Sequence, residues 1–169
     1  MSLTNDLLDQ ARHLATREPI RPKQSSLSRA VSTAYYALFH MLVDAACVRL
    51  LHRKSEVSLR PLLSRSFNHG DMVNAAKTFK SGQPIALVLD ALNDSIPTEI
   101  KIVATAFVDL QEMRHQADYN TNRNWSRTEV QNLVDQAINA EQAWRRVRNH
   151  KAATALLVNM LVHKQLIKR

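Results

Sequence analysis

Apolar positions recur every three to four residues along nearly the whole chain, and that spacing predicts helices rather than strands. Leu3, Leu7, Ala11 and Leu14 share one helical face, so a first helix is expected from about Ser2 to Glu18. It must stop before Pro19, which restricts its predecessor and has no backbone N–H to donate. Residues 19–25 read as a linker, after which Ser25 or Ser26 can cap a second helix running to about His52. The apolar face of this second helix is wide. Val31, Ala34, Tyr35, Leu38, Leu42 and Ala45 occupy one side, with Tyr36, Phe39, Val43 and Cys47 beside them, which suits the middle of a bundle or a subunit interface.

Shorter helices are expected over Leu59 to Ser66, Asp71 to Lys80 and Ile85 to Asn93, divided by the turn signals Asn68-His69-Gly70 and Ser81-Gly82-Gln83-Pro84. Pro97 suits the first turn of a long helix reaching about Asn120. Ser126-Arg127-Thr128-Glu129 reads as a capping box for the last helical stretch. From Ser126 to Lys168 a single straight helix would be about 64 Å long, more than a small bundle can cover. A break is therefore expected between Arg148 and Lys151, and beyond it the stretch Ala155 to Val162, apolar on every side, should fold back on the bundle or pack against a partner. The expected architecture is all-α: an up-and-down bundle of four or five helices over residues 1–148 and a basic, extended C-terminal helix over residues 149–169.

Composition agrees with this pattern. Only two of the 169 residues are glycine, and the five prolines all lie at or before Pro97. The one cysteine, Cys47, has no intramolecular partner, and the N-terminus lacks the apolar core of a signal peptide, so a cytoplasmic protein is expected. No run approaches the roughly 18 to 20 apolar residues of a membrane span; the longest, Ala152 to Val162, is interrupted by Thr154 and Asn159. No membrane role is expected.

Charge is divided unevenly. Residues 1–141 hold 16 Lys and Arg against 15 Asp and Glu, whereas residues 142–169 hold 7 Lys and Arg and no acid. The excess suggests contact with a polyanion such as RNA, or a solvated basic tail. Arg145, Arg146 and Arg148 are the candidates there, and Arg49, Arg53 and Lys54 in a second basic stretch that ends at Arg65 and contains Glu56 as its one acid.

One stretch, Met113 to Asn120, gathers candidate chemistry. At about 100° per residue Val103, Ala106, Phe107, Leu110, Met113 and Ala117 form a stripe, and Arg114 falls inside it with Asp118 at its edge. A guanidinium aimed into a helix seam has to meet acceptors. Either Arg114 and Asp118 close on each other, or Arg114 faces a cleft that binds an anion. Glu112, His115 and Tyr119 fall on the opposite side. Glu112 and His115 match half of a di-iron bundle motif, but there is one copy and it points outward. His13, His40, His52, His69, His150 and His163 show no metal-ligand spacing, and no phosphate-cradling glycine loop is present, so no metal and no cofactor is expected.

Arg29-Ala30-Val31-Ser32-Thr33-Ala34-Tyr35-Tyr36-Ala37-Leu38-Phe39-His40 resembles the R-A-x-x-x-A-Y-Y-A-x-F-H pattern of HEPN-domain proteins. Phe67-Asn68-His69-Gly70 with Phe79 resembles their mid-chain loop, and Arg114-His115-Gln116-Ala117-Asp118-Tyr119 their late R-x-x-A-D-Y motif. The resemblance covers about residues 5 to 148. It implies a helical bundle, usually a homodimer, with two arginine-bearing helices near a shared cleft. Many such proteins are metal-independent endoribonucleases of toxin–antitoxin or phage-defence systems, with a histidine four to six residues after the arginine. There the arginine would hold the scissile phosphate while the histidine assists proton transfer. Here those positions hold Tyr119, Asn120 and Thr121, and members with A-D-Y sometimes accompany nucleotidyltransferases.

Three functions follow as expectations. The first is a HEPN-like module with a degenerate motif, binding RNA, a nucleotide or a partner such as a nucleotidyltransferase or antitoxin, with Arg29 and Arg114 among its arginines and Tyr35, Tyr36, His69 and Gly70 as motif residues. The second is an endoribonuclease using Arg114 with Tyr119 or His115 and Asp118. The third is an oligomerising scaffold.

Overall fold

A computed structural model describes residues 2–93 and 95–167. Among them the chain is all-α, with no strand: α1 (Leu3–Thr16), α2 (Gln24–Leu50), a 3-10 turn of helix (Lys54–Leu59) running directly into α3 (Arg60–Ser64), α4 (His69–Lys80), α5 (Ala86–Leu92), α6 (Thr98–Tyr119), α7 (Arg127–Val147) and α8 (Lys151–Leu166). The chain forms two compact units, each assembled from two separate stretches: residues 1–41 with 106–142 (unit 1), and residues 42–105 with 143–169 (unit 2).

Local chemistry sets the helix ends, sometimes differently from expectation. Helix α2 opens at Gln24, ahead of both serines, because the Glu18 carboxylate serves its first turn: it accepts from the Lys23 N–H at 3.4 Å and from the Ser26 hydroxyl at 3.0 Å. Asn68, His69 and Gly70 are not a turn between helices. The Asn68 side chain caps α4, accepting from the N–H groups of Gly70 (2.9 Å) and Asp71 (3.3 Å), so His69 and Gly70 form the first turn. A Cβ on residue 70 would lie 3.2 Å from the capping oxygen, so a side chain there would press on the cap. Pro97 stands just outside α6, where its carbonyl accepts from the Lys101 N–H at 3.2 Å. Ser126 caps α7 as expected, accepting from the Glu129 N–H at 3.1 Å, but the Glu129 carboxylate turns to Arg123 at 2.5 Å instead of completing the box.

The break before the last helix falls at residues 148–150, and His150 caps α8 by accepting from the Ala152 N–H at 3.1 Å. Helix α8 turns back into its own unit and packs on α4 and α5, burying Ala152, Ala153, Leu156, Leu157 and Met160. It carries a local kink at Val162, and its expected end at Lys168 lies outside the described residues. Unit 1 centres on Tyr35, Leu38, Phe107 and Leu110, all fully buried. Contrary to the expectation that no stretch approaches a membrane span, α2 is long and apolar enough by length and composition. It is a core helix, however, with 67% of its most apolar window buried inside the protein.

Candidate functional site

Two helix faces in unit 1 build the site. On α2, Ser32 and Tyr36 are one turn apart; on α6, Arg114 and Asp118 are one turn apart, each pair thus sharing a face of its helix. Arg114 lies one turn beyond the fully buried Leu110, so its stem follows the apolar stripe inward, and 15% of its side chain remains exposed. Its Nη2 donates to the Tyr36 hydroxyl at 3.0 Å. Its Nε lies 2.8 Å from Asp118 Oδ2, a close but bent ion pair rather than a linear hydrogen bond. The other Asp118 oxygen, Oδ1, accepts from the Ser32 hydroxyl at 2.6 Å. The result is a polar chain, Ser32, Asp118, Arg114, Tyr36, that crosses twice between the two helices.

Aromatic rings line the guanidinium. Its Cζ lies 5.5 Å from the Tyr36 ring centre, 5.8 Å from that of Tyr35 and 6.0 Å from that of Tyr119, within cation–π range of each. Tyr35 in turn packs on Phe107 with centroids 5.5 Å apart. Burial works against the charge on Arg114, but the Tyr36 hydrogen bond, Asp118 and Tyr119 outweigh it and hold its pKa above the ordinary guanidinium value. Burial pushes the Tyr35 phenol well up, opposed by Arg114, so Tyr35 stays protonated. Of the two arrangements open to Arg114 from the sequence, the protein adopts the closed ion pair. That pairing satisfies the charge and ties α6 to α2.

Glu112 and His115 face outward, whereas Tyr119, expected beside them, is exposed yet brings its ring within 6.0 Å of the Arg114 Cζ. Gln116 links Glu112 to Asn120 in a surface ladder of 3.2 and 3.0 Å bonds. The His115 and Tyr119 rings sit 5.0 Å apart. Among the described residues no group of three His, Cys, Asp or Glu side chains could hold a metal ion.

The basic residues fall into two classes. Arg29 is exposed on α2, and Lys54, Arg145, Arg146 and Arg148 are exposed in unit 2. Arg53 is exposed beside Glu56 at 3.9 Å. Arg49 is employed inside unit 2: its Nη1 donates to the Thr154 hydroxyl at 2.8 Å and its Nη2 to the Arg148 carbonyl at 2.5 Å, clamping the turn between α7 and α8. His69 is half-buried at the start of α4.

Sequence reasoning missed Ser32, whose only signal is a hydroxyl one turn from Tyr36 on an apolar helix. It also missed a second polar cluster in unit 1. The Gln24 carboxamide pairs with both backbone groups of Trp125, accepting from its N–H at 2.7 Å and donating to its carbonyl at 3.0 Å. Arg123 lies 4.2 Å over the Trp125 ring, and Arg127 donates to the carbonyls of Pro19, at 2.6 Å, and Glu18. A lone tryptophan in a polar loop was the available hint. Comparison of the chain with protein-family models, with curated proteins and with solved structures gave no match.

Proposed function

We propose that this chain is a non-catalytic RNA-binding module, of the HEPN-like kind that its Arg29-to-His40 and Arg114-to-Tyr119 stretches resemble, acting within a toxin–antitoxin or defence pair. One observation carries the binding reading: Arg145, Arg146, Arg148 and Lys151 all stand exposed within seven residues, in a stretch from residue 142 onward that contains no acid. Closely spaced exposed cations attract a phosphate backbone, and they bind it by releasing counterions. Arg114, committed to Asp118 and Tyr36, supports the non-catalytic part, since the nearest imidazole in sequence, His115, sits on the exposed face.

Affinity for a fluorescent single-stranded RNA, titrated at several salt concentrations, tests this. Log affinity should fall linearly with log salt, by roughly 0.7 per phosphate contacted, and Arg146→Ala with Arg148→Ala should reduce that slope by about 1.4. A flat salt response removes the RNA reading and leaves a scaffold protein. The endoribonuclease reading draws on Tyr119, whose ring lies near both Arg114 and His115. RNA cleavage that disappears in Arg114→Ala would favour it over simple binding; cleavage that survives would eliminate Arg114 as its catalyst.

A further inference from the structure

His150 stands inside the cationic turn between α7 and α8, with Arg148 two residues before it and Lys151 directly after. All three are exposed, and the histidine carries the one imidazole between residues 142 and 162. Imidazole is the side chain whose charge changes near neutral pH, so this residue alone gives the turn a variable charge there.

The ring already has a task in the folded chain. His150 takes an extended conformation at the N-cap of α8, where its N–H donates to the Val147 carbonyl at 2.8 Å and its carbonyl accepts from the Ala153 N–H at 3.1 Å. Its Nδ1 accepts from the Ala152 N–H, also at 3.1 Å. A ring nitrogen accepts only while it keeps its lone pair, so the capping imidazole is neutral and carries its proton on Nε2. A second proton would make Nδ1 a donor facing another donor, and the cap would be released. Capping α8 and offering positive charge to an anion therefore require opposite protonation states of one side chain.

The neighbours fix the turn without supplying the ring with a counter-charge. Arg49, from the end of α2, holds the backbone on both sides of His150 through the Arg148 carbonyl and the Thr154 hydroxyl. The last turns of α7 carry Glu141, Arg145 and Arg146. Of the helices packed on α8, α4 carries His69, Asp71, Lys77 and Lys80, and α5 carries Asp90. Among the described residues none of the carboxylates pairs with His150. A phosphate drawn in by Arg146, Arg148 and Lys151 would be the first anion within the ring's reach.

Resting on the RNA reading of this turn, we propose that RNA binding is linked to proton uptake at His150. The ring leaves its cap, takes one proton from solvent onto Nδ1 and pairs as an imidazolium with a phosphate that the flanking cations hold. The capped neutral ring belongs to the RNA-free chain, and the charged ring to the complex. Linkage is reciprocal: if phosphate favours the proton, the proton strengthens the hold on phosphate by the same factor. Affinity for RNA therefore rises as pH falls.

Titration of fluorescent oligouridylate at pH about 8 and pH about 5.5, each at several salt concentrations, tests this, because uracil does not ionise in that range. The parent chain should bind about fivefold more tightly at the lower pH. Its salt slope should be steeper there by about 0.7, the increment of one further phosphate contact. His150→Asn keeps a capping side chain but cannot take a charge, so its affinity should change by less than about twofold between the two pH values. His150→Ser, another capping residue, makes the same comparison if the first variant folds poorly by circular dichroism. Calorimetry at pH about 6.5 in two buffers of different ionisation heat should register proton uptake on binding that falls away in these variants, which a purely structural cap would not produce. Salt-dependent binding that ignores pH, or a pH response that His150→Asn retains, overturns the proton linkage and leaves the RNA reading standing. Binding indifferent to salt at both pH values removes the RNA reading and the linkage with it.

Discussion

Arg114 in unit 1 and Asn159 in unit 2 are both polar groups drawn into helix packing, and their surroundings differ. Arg114 meets an acid, a phenol and three aromatic faces, supplied by the same two helices whose packing covers it. Asn159 is fully buried on α8, its Oδ1 lies 3.4 Å from the buried His163 Nδ1, and its Nδ2 has no acceptor. Unit 1 therefore uses its polar seam to fix the register of α2 against α6, whereas unit 2 carries its polar pair at a cost to stability. The lesson is that a charge in a core is tolerable, even specifying, when its counter-charge stands one turn along its own helix and hydroxyls one turn apart on the neighbouring helix bind both members of the pair.

Substitutions can break this contrast. Asp118→Ala leaves a largely covered guanidinium without its acid and should lower stability by about 2–3 kcal/mol, whereas Arg114→Met, which removes the charge and keeps the stem, should cost roughly 1 kcal/mol or less. Urea unfolding midpoints compare them directly, and equal losses would mean that charge balance does not organise the seam. In unit 2, Arg49→Ala deletes both bonds of the α7–α8 clamp and should lower stability by about 1–2 kcal/mol.

A fourth substitution should act in the opposite direction. Asn159→Leu exchanges an unsatisfied amide for aliphatic surface and should raise stability by about 1 kcal/mol by the same measurement. A loss of that size would show that the amide has a partner the contrast overlooks.

The smallest effect concerns pH. Burial lowers the pKa of His40, so the folded protein takes up its proton less readily than the unfolded chain. Stability contributed by the neutral ring is fully present above the unfolded value of about 6.5 and is lost as pH falls from there toward the depressed folded value. Melting temperatures of His40→Asn should consequently decline less between neutral pH and pH about 5 than those of the parent chain.

How much of this was legible in the sequence depended on range. Features within one or two turns were readable: the stop at Pro19, the Ser126 cap, the break at residues 148–150 forced by helix length, and the approach of Arg114 to Asp118 at i and i+4. The inward turn of Arg114 followed from its place on a stripe of 3.6-residue period. What stayed hidden came from elsewhere along the chain. Ser32 and Tyr36 reach the seam from about eighty residues away, and the tasks of Arg49 and Gln24 are set by groups about a hundred residues distant. Periodicity says which way such a side chain points; it does not say what stands opposite. Asn68 shows the same limit at short range, because one residue type serves equally as a turn or as a cap.

The interleaving of the two units bears on how the protein is made. Since each unit draws on a stretch from the last forty percent of the chain, neither can close while the first hundred residues are emerging from a ribosome. The α4 surface that α8 covers has to wait until residues 151–166 have been made. A nascent or prematurely terminated chain would present that aliphatic surface uncovered, which makes it a natural client for chaperones and a ready substrate for proteases.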